Sequence, residues 1–138
     1  MFLANYTDGL SDVPLPDVIS SFAGTQNIAC FVSVKPRASF HLIELEPGGV
    51  VKGIEHIGKS GARMNGGFMV LRPAIFRYMH NGEELVEEPF RRLIDEGKLM
   101  AFSHNGFWAC MDTFKEKQDL EDVFGRGNAP WAVWNHRP

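Results

Sequence analysis

The chain lacks most of the features that mark a protein class directly. It has two cysteines, Cys30 and Cys110, each alone in apolar company and without Cys-x-x-Cys spacing. That excludes a disulfide scaffold and a zinc–thiolate cluster; both are expected as reduced, buried thiols of a cytoplasmic protein. No apolar stretch approaches the roughly 18 residues needed to cross a membrane. The opening Met1-Phe2-Leu3-Ala4-Asn5 carries no basic region or cleavage pattern and does not read as a signal peptide. The formal net charge is −3, with no long run of one sign. The pair Arg91-Arg92 is too small for a nucleic-acid patch, so neither a nucleic acid polymer nor a membrane is an expected partner. His41, His80, His104 and His136 show no metal-ligand spacing and read as structural or exposed. Repeats and low-complexity tracts are missing as well. What remains is 138 residues, 44% hydrophobic and 22% charged. That is the composition of one ordinary globular domain, residues 1–138, with enough chain for a core.

Strand-like and helix-like segments alternate. Residues 2–6 read as a strand. Pro14-Leu15-Pro16 opens a short helix with Val18, Ile19 and Phe22 on one face and Gly24 as its stop. Residues 28–34 are a nearly continuous apolar run, as in a strand covered on both faces. Residues 40–46 and 50–56 flank Pro47-Gly48-Gly49 and predict a hairpin, followed by a polar loop over 58–61. A strand over 68–71 follows Asn65-Gly66-Gly67, and Pro73 starts a short helix to about His80. A second helix is expected over 89–96, with Phe90, Leu93 and Ile94 inward and Gly97 as its stop. Strands over 99–103 and 107–111 come next. Thr113-Phe114-Lys115-Glu116 matches a capping box, so a helix begins there, with Phe114, Leu120, Val123 and Phe124 at roughly helical spacing. Residues 128–134 read as a docked extended tail, and Trp108, Trp131 and Trp134 as core or docking residues. The pattern predicts an α/β fold, a mixed sheet with flanking helices.

Two aspartates share one local setting. Asp8 and Asp112 each follow an apolar strand-like run and stand where it gives way to a turn or helix. In open α/β sheets ligands bind outside the carboxyl ends of strands, and two carboxylates converging there would make a hard-oxygen site for a divalent cation and its phosphates. Each segment alone favours a plainer reading. Asp8-Gly9 is the composition of an ordinary turn, and Asp112 stands where a helix takes a capping aspartate. Asn65-Gly66-Gly67 lets backbone approach a ligand closely and offers an amide to sugar hydroxyls, but it also suits a bend at a strand start. Glu55-His56 ends a strand and could meet a ligand, or simply face solvent.

Taken in order, Tyr6-Thr7-Asp8-Gly9-Leu10-Ser11-Asp12, Glu55, Met64-Asn65-Gly66-Gly67-Phe68, Glu87-Glu88-Pro89-Phe90, Gly106-Phe107-Trp108-Ala109-Cys110-Met111-Asp112-Thr113 and Ala129-Pro130-Trp131 resemble the sugar-1-phosphate nucleotidylyltransferases. The nearest likeness is to the glucose-1-phosphate cytidylyltransferases. It covers essentially the whole chain but only the C-terminal half of that family's protein. It implies a partial Rossmann-like nucleotidyltransferase fold without the N-terminal nucleotide-binding half. Such enzymes join a nucleoside triphosphate to a sugar 1-phosphate and release pyrophosphate, chiefly by positioning and by charge neutralisation with Mg²⁺. The resemblance implies that Asp8 and Asp112 match the catalytic, metal-binding aspartates, and that Glu55, His56, Asn65 and Gly66 line the sugar site.

The departures matter equally. The family's glycine-rich loop, Gly-Gly-x-Gly-Thr-Arg-Leu, has no counterpart here; the only glycine pairs are Gly48-Gly49 and Gly66-Gly67. The family's Glu-Lys-Pro reads Glu55-His56-Ile57, which weakens a fixed positive charge. Its Gly-Asp-Gly reads Thr7-Asp8-Gly9, and its Arg-Phe-Gly turn reads Ala38-Ser39-Phe40-His41. Two functions follow: the sugar- and metal-binding half of a nucleotide-sugar-forming enzyme, or a non-catalytic binding or assembly module of the same fold. Nothing charged precedes Asp8 to blunt the first strand's edge, so the chain is expected to pair, as a homodimer or with a missing N-terminal half.

Overall fold

A computed structural model describes residues 1–37 and 39–136; Ala38, Arg137, Pro138 and the side chain of His136 fall outside it. Its centre is a mixed sheet built on β3 (Ala29–Val34), whose run of β-branched and small side chains is buried on both faces. On one side β3 pairs in parallel with β8 (Leu99–Ser103). On the other it pairs antiparallel with β7 (Met69–Leu71) and, further along, with β6 (Met64–Asn65). β7 in turn pairs antiparallel with β1 (Phe2–Ala4), whose other side meets no strand among the described residues. β1, β3 and β8 therefore run the same way, and their carboxyl ends share one edge of the sheet.

Helices cover both faces. α1 (Leu15–Ala23) starts with Pro16 in its first turn and lays Val18 and Phe22, both 0% exposed, on Cys30, Val32, Val34 and Val70. α2 (Glu88–Asp95) buries Phe90 and Leu93 on the opposite face, with Ala29, Met69, Leu71 and Ile75. Phe31 and Phe90 stack at 5.9 Å. A two-stranded ribbon, β2 (Leu10–Ser11) with β9 (Trp108–Ala109), joins the N-terminal segment to the residues before α3 (Phe114–Gly125). The hairpin β4 (His41–Leu45) and β5 (Val51–His56) forms a separate pair with both faces largely in solvent, exposing Leu42, Ile43, Leu45, Val51 and Ile54.

Several expectations are corrected. Ile94 points outward, 63% exposed, because α2 is a short helix whose one buried stripe is filled by Phe90 and Leu93. Phe114 and Phe124 are likewise exposed, and only Leu120 of α3 is buried. The segment after Pro73 is a 3₁₀ turn, Pro73–Arg77, rather than a helix reaching His80. Residues 58–61 are not a plain loop, since Ile57–Lys59 is a 3₁₀ turn. The tail is not extended: Val133–His136 is also 3₁₀, with Ala129 and Ala132 buried, Trp131 beside Phe107 at 5.3 Å, and Trp134 out in solvent.

The strand over 68–71 hides an irregularity. Between the pairs Cys30↔Val70 and Ser33↔Asn65, β3 has two residues and its partner has four. The excess is a bulge at Gly66, Gly67 and Phe68, held to Val32 by Gly66 N–H to Val32 O and Val32 N–H to Gly67 O, both 2.8 Å. Gly67 has φ +74° and Phe68 φ +48°, and Phe68 is the only left-handed non-glycine among the described residues. Such outliers concentrate at functional sites. This one lies where the candidate residues gather.

Candidate functional site

The candidate chemistry sits on turns leaving the shared carboxyl edge of β1, β3 and β8. Asp8 is half-buried in the turn after β1. Two residues on, Leu10 pairs with Ala109, which draws this turn beside residues 110–112. Cys110 registers the approach. Its Sγ donates to Asp112 Oδ2 at 3.3 Å. Its thiol pKa is pushed up to about 11, first by burial, then by the hydrogen bond and charge of Asp112, then by the charges of Glu116 and Asp8. The thiol is therefore protonated at neutral pH, in a field set by three carboxylates. Cys110 was expected to be buried; it is half-buried at this site, while Cys30 is fully enclosed.

Asp112 is not the helix cap. Thr113 holds that place: its hydroxyl accepts from Glu116 N–H at 3.2 Å, and Glu116 Oε2 accepts from Thr113 N–H at 2.8 Å. The Asp112 carboxylate is left exposed, with Cys110 its only hydrogen-bond donor among the described residues. Donor atoms of Cys110, Asp112 and Glu116 lie within 4.8 Å of one another. Of these, the thiol is neutral and Glu116 is engaged by the cap. The hard donor left for a cation is Asp112, with Asp8 on the adjoining turn. Carboxylate oxygens of this kind fit Mg²⁺, which keeps several waters and shares its shell with phosphates.

Asn65 ends β6 at the bulge. Its Nδ2 donates to Tyr6 Oη at 3.1 Å and its Oδ1 accepts from Gly67 N–H at 3.0 Å. One amide hydrogen and one carbonyl lone pair remain for a ligand. Tyr6, bonded to this amide, also feels the charge of Asp8. Burial raises its pKa, with Glu84 and Asp8 adding to the rise and the Asn65 bond opposing it, so it stays a phenol. Gly66 is glycine for reasons of space: a Cβ there would stand 2.9 Å from Val34 Cγ1 and 3.1 Å from both Trp108 Nε1 and Val32 O. Its carbonyl accepts from Trp108 Nε1–H at 2.8 Å. Trp108 thereby ties the bulge to the ribbon that leads to Asp112.

Glu55 and His56 lie elsewhere, on β5. Glu55 is exposed opposite Leu42. The His56 ring meets His41 edge-on at 5.3 Å, and its Nδ1 accepts from Gly58 N–H at 3.1 Å. Among the described residues no hydrogen bond links the hairpin to the Asp8 and Asp112 turns. Ala38, in the turn that stands for Arg-Phe-Gly, falls outside the described residues.

One pair escaped the sequence reading. His104 is buried, 9% exposed, and its Nε2 lies 2.7 Å from Asp12 Oδ1. The same oxygen accepts from Phe107 N–H at 2.8 Å. Arg63 adds a clamp over the ends of β3 and β8, donating to Ser33, to His104 O at 2.9 Å and to Asn105 Oδ1 at 3.3 Å. Asp12 stood inside a recognisable motif, but its partner is 92 residues away, and neither residue alone signals the pairing.

No family model matches the chain. Over 134 residues, 96% of its length, it is 35% identical to the glucose-1-phosphate cytidylyltransferase of Salmonella typhi, and equally to that of Salmonella typhimurium. The chain spans about half the length of these curated relatives, 52%. Its fold resembles the crystal structure of a Bacillus anthracis protein, provisionally assigned as a glucose-1-phosphate thymidylyltransferase and bound to sucrose. The TM-score is 0.59 at 14% identity, over 92% of this chain and 52% of that one. At that identity the likeness is one of fold. In sequence the chain corresponds to the C-terminal half of these glucose-1-phosphate cytidylyltransferases, and the solved structure shares its fold.

Proposed function

We propose that the chain supplies the sugar-phosphate- and metal-binding half of a nucleotidyltransferase that makes a nucleotide sugar, of the CDP-glucose kind, from a nucleoside triphosphate and a sugar 1-phosphate. The observation that carries this reading is the β2/β9 pairing, which brings the Asp8 turn to the segment of Asp112 at the carboxyl edge of the sheet. Asp8 and Asp112 would hold Mg²⁺, whose contribution is to offset phosphate charge. Asn65 would orient the sugar with its remaining amide hydrogen, and Gly66 would let the substrate approach the bulge. Glu55 and His56 would join from the hairpin. A cytoplasmic setting is part of the proposal, supported by the two unpaired thiols. So is pairing, with a second copy or with a separate nucleotide-binding half.

One sequence observation favours a second reading, a non-catalytic binding or assembly module. The 138 residues contain no glycine-rich triphosphate loop, so the leaving pyrophosphate lacks its charge stabilisation in this chain alone. Two measurements test the proposal. Incubation with CTP or TTP, glucose 1-phosphate and Mg²⁺ is expected to release no pyrophosphate above about 1 s⁻¹, the low end for enzymes. Mn²⁺ retained by the chain in the presence of glucose 1-phosphate, followed by electron paramagnetic resonance, is expected to fall in Asp8→Asn and Asp112→Asn. Unchanged retention in both variants overturns the metal-site proposal.

A further inference from the structure

A second feature of the same sheet edge involves none of the acids above. A cleft of about 400 Å³ opens where the chain leaves β3 and β8, lined by Lys35, Arg37, His104, Asn105, Phe107 and Trp108. That volume is in the usual range for small-molecule sites, roughly 300–1,000 Å³. The carboxyl ends of adjacent parallel strands are the usual ligand position in such sheets.

The lining is cationic. Among the described residues neither Lys35 nor Arg37 forms an ion pair. Arg37 is held in place without being neutralised: its guanidinium stacks on Phe107, 5.0 Å from the ring centroid, and reaches Trp108 O at 3.5 Å. A guanidinium fixed by an aromatic face keeps its outer N–H groups for an incoming anion, and little side-chain entropy is left to lose. His104 lies at the buried side. Its Nε2 is committed to Asp12 and Phe107 O, while Nδ1 has no hydrogen-bond partner among the described residues. Arg63 adds positive charge behind Asn105. No acid is among the lining residues; Asp12, which contacts two of them, has its Oδ1 turned to His104 Nε2 and Phe107 N–H. Three cations against one engaged carboxylate leave the cleft positive in a chain whose net charge is −3.

We propose that this cleft binds the phosphate group of a small phosphorylated molecule, through Lys35 and Arg37, without a metal ion. It goes beyond the function proposed above and does not need it, since its residues are distinct from Asp8, Asp112, Glu55, His56, Asn65 and Gly66. Phe107 and Trp108 supply an apolar wall for whatever carries the phosphate.

The test uses the full chain, ¹⁵N-labelled, with EDTA present and ionic strength held constant. Inorganic phosphate, glucose 1-phosphate and glucose are titrated separately while the Trp108 indole N–H, the Gly106 amide and the His104 ring are followed by NMR. Saturable shifts at these groups are expected with both phosphates and none with glucose. Tighter binding of glucose 1-phosphate than of phosphate assigns a phosphorylated ligand; equal binding of the two assigns the anion alone and overturns the carrier part of the proposal. Lys35→Gln and Arg37→Gln remove charge from exposed side chains and are each expected to weaken binding about tenfold, the scale of one charge-assisted hydrogen bond. Absence of saturation, or equal saturation in both variants, overturns the site. Failure here leaves the Mn²⁺ result untouched, and failure there leaves this one untouched.

Discussion

Replacing Gly67 with alanine tests the bulge and, through it, the placement of the N-terminal turn. Two separate costs are written into the geometry. Gly67 has φ +74°, a conformation that costs an L-residue about 1–2 kcal/mol. An added Cβ would also stand 2.4 Å from Asn5 Oδ1 and 3.0 Å from Tyr6 Cδ2. Asn5 must then move, which breaks its 2.7 Å acceptance from Phe68 N–H, a solvent-accessible bond whose net loss costs about 0.5–1.5 kcal/mol. The sum is roughly 1.5–3.5 kcal/mol, a sizeable part of the 5–15 kcal/mol by which a domain is ordinarily stable. Gly97→Ala is the control: its φ is +63°, but a Cβ there meets nothing within 4 Å, so only the first cost of about 1–2 kcal/mol applies. Urea unfolding followed by tryptophan fluorescence measures both. Gly67→Ala is expected to lose clearly more stability than Gly97→Ala. Equal losses would refute the reasoning, because they would mean that Asn5 does not pack on the bulge and that Tyr6 is not held beside Asn65.

Three further outcomes are expected. Cys110, raised from 9.0 to about 11, should react with iodoacetamide at pH 8 about a hundredfold more slowly than an ordinary thiol; Asp112→Asn should speed it, Asp8→Asn should speed it less, and reaction at the ordinary rate would contradict the clustered charges. Buried Cys30 should stay silent in the native protein. The hydrogen-bonded Arg92 guanidinium holds the Glu83 pKa down to about 2 from 4.5; a depressed folded-state value means that the stability from this pair is complete above about pH 4.5 and is lost as pH falls toward 2. Glu83→Gln should therefore flatten the fall of the urea midpoint across that window, and an unchanged slope would remove the pair from the acid response. The edge of β1 that meets no strand among the described residues, together with the exposed apolar hairpin, should make the chain self-associate; sedimentation equilibrium showing a clean monomer at micromolar concentration would overturn this.

Much of the fold was legible because local rules and burial agree in it. The period of Val18, Ile19 and Phe22, Pro16 in the first turn of α1, the capping box at Thr113, and the apolar run of β3 are each dictated by short-range chemistry, and each appears as an element. Some of the errors fall where apolar residues met no partner. Ile94, Phe114 and Phe124 have helical spacing but face solvent, because periodicity shows which residues share a face and says nothing about what lies opposite. The strand over 68–71 was right in kind, yet its bulge depends on how Val32 and Trp108 crowd Gly66, contacts that span dozens of residues.

The sequence by itself determined that the chain has an α/β fold with two aspartates in matching settings, and the order of its motifs was enough to indicate the likeness to the cytidylyltransferases. Only the tertiary structure decided how those settings relate. Antiparallel pairing of Leu10 with Ala109 carries Asp8 to the segment of Asp112, and Thr113 takes the helix cap so that the Asp112 carboxylate stays free. It also joined Asp12 to His104 across 92 residues and set Lys35 and Arg37 beside Phe107 at one cleft. Strand register and side-chain contact are long-range properties of the folded chain, whereas propensity, capping and periodicity act over a few residues; that difference in range divides what could be read from what had to be seen.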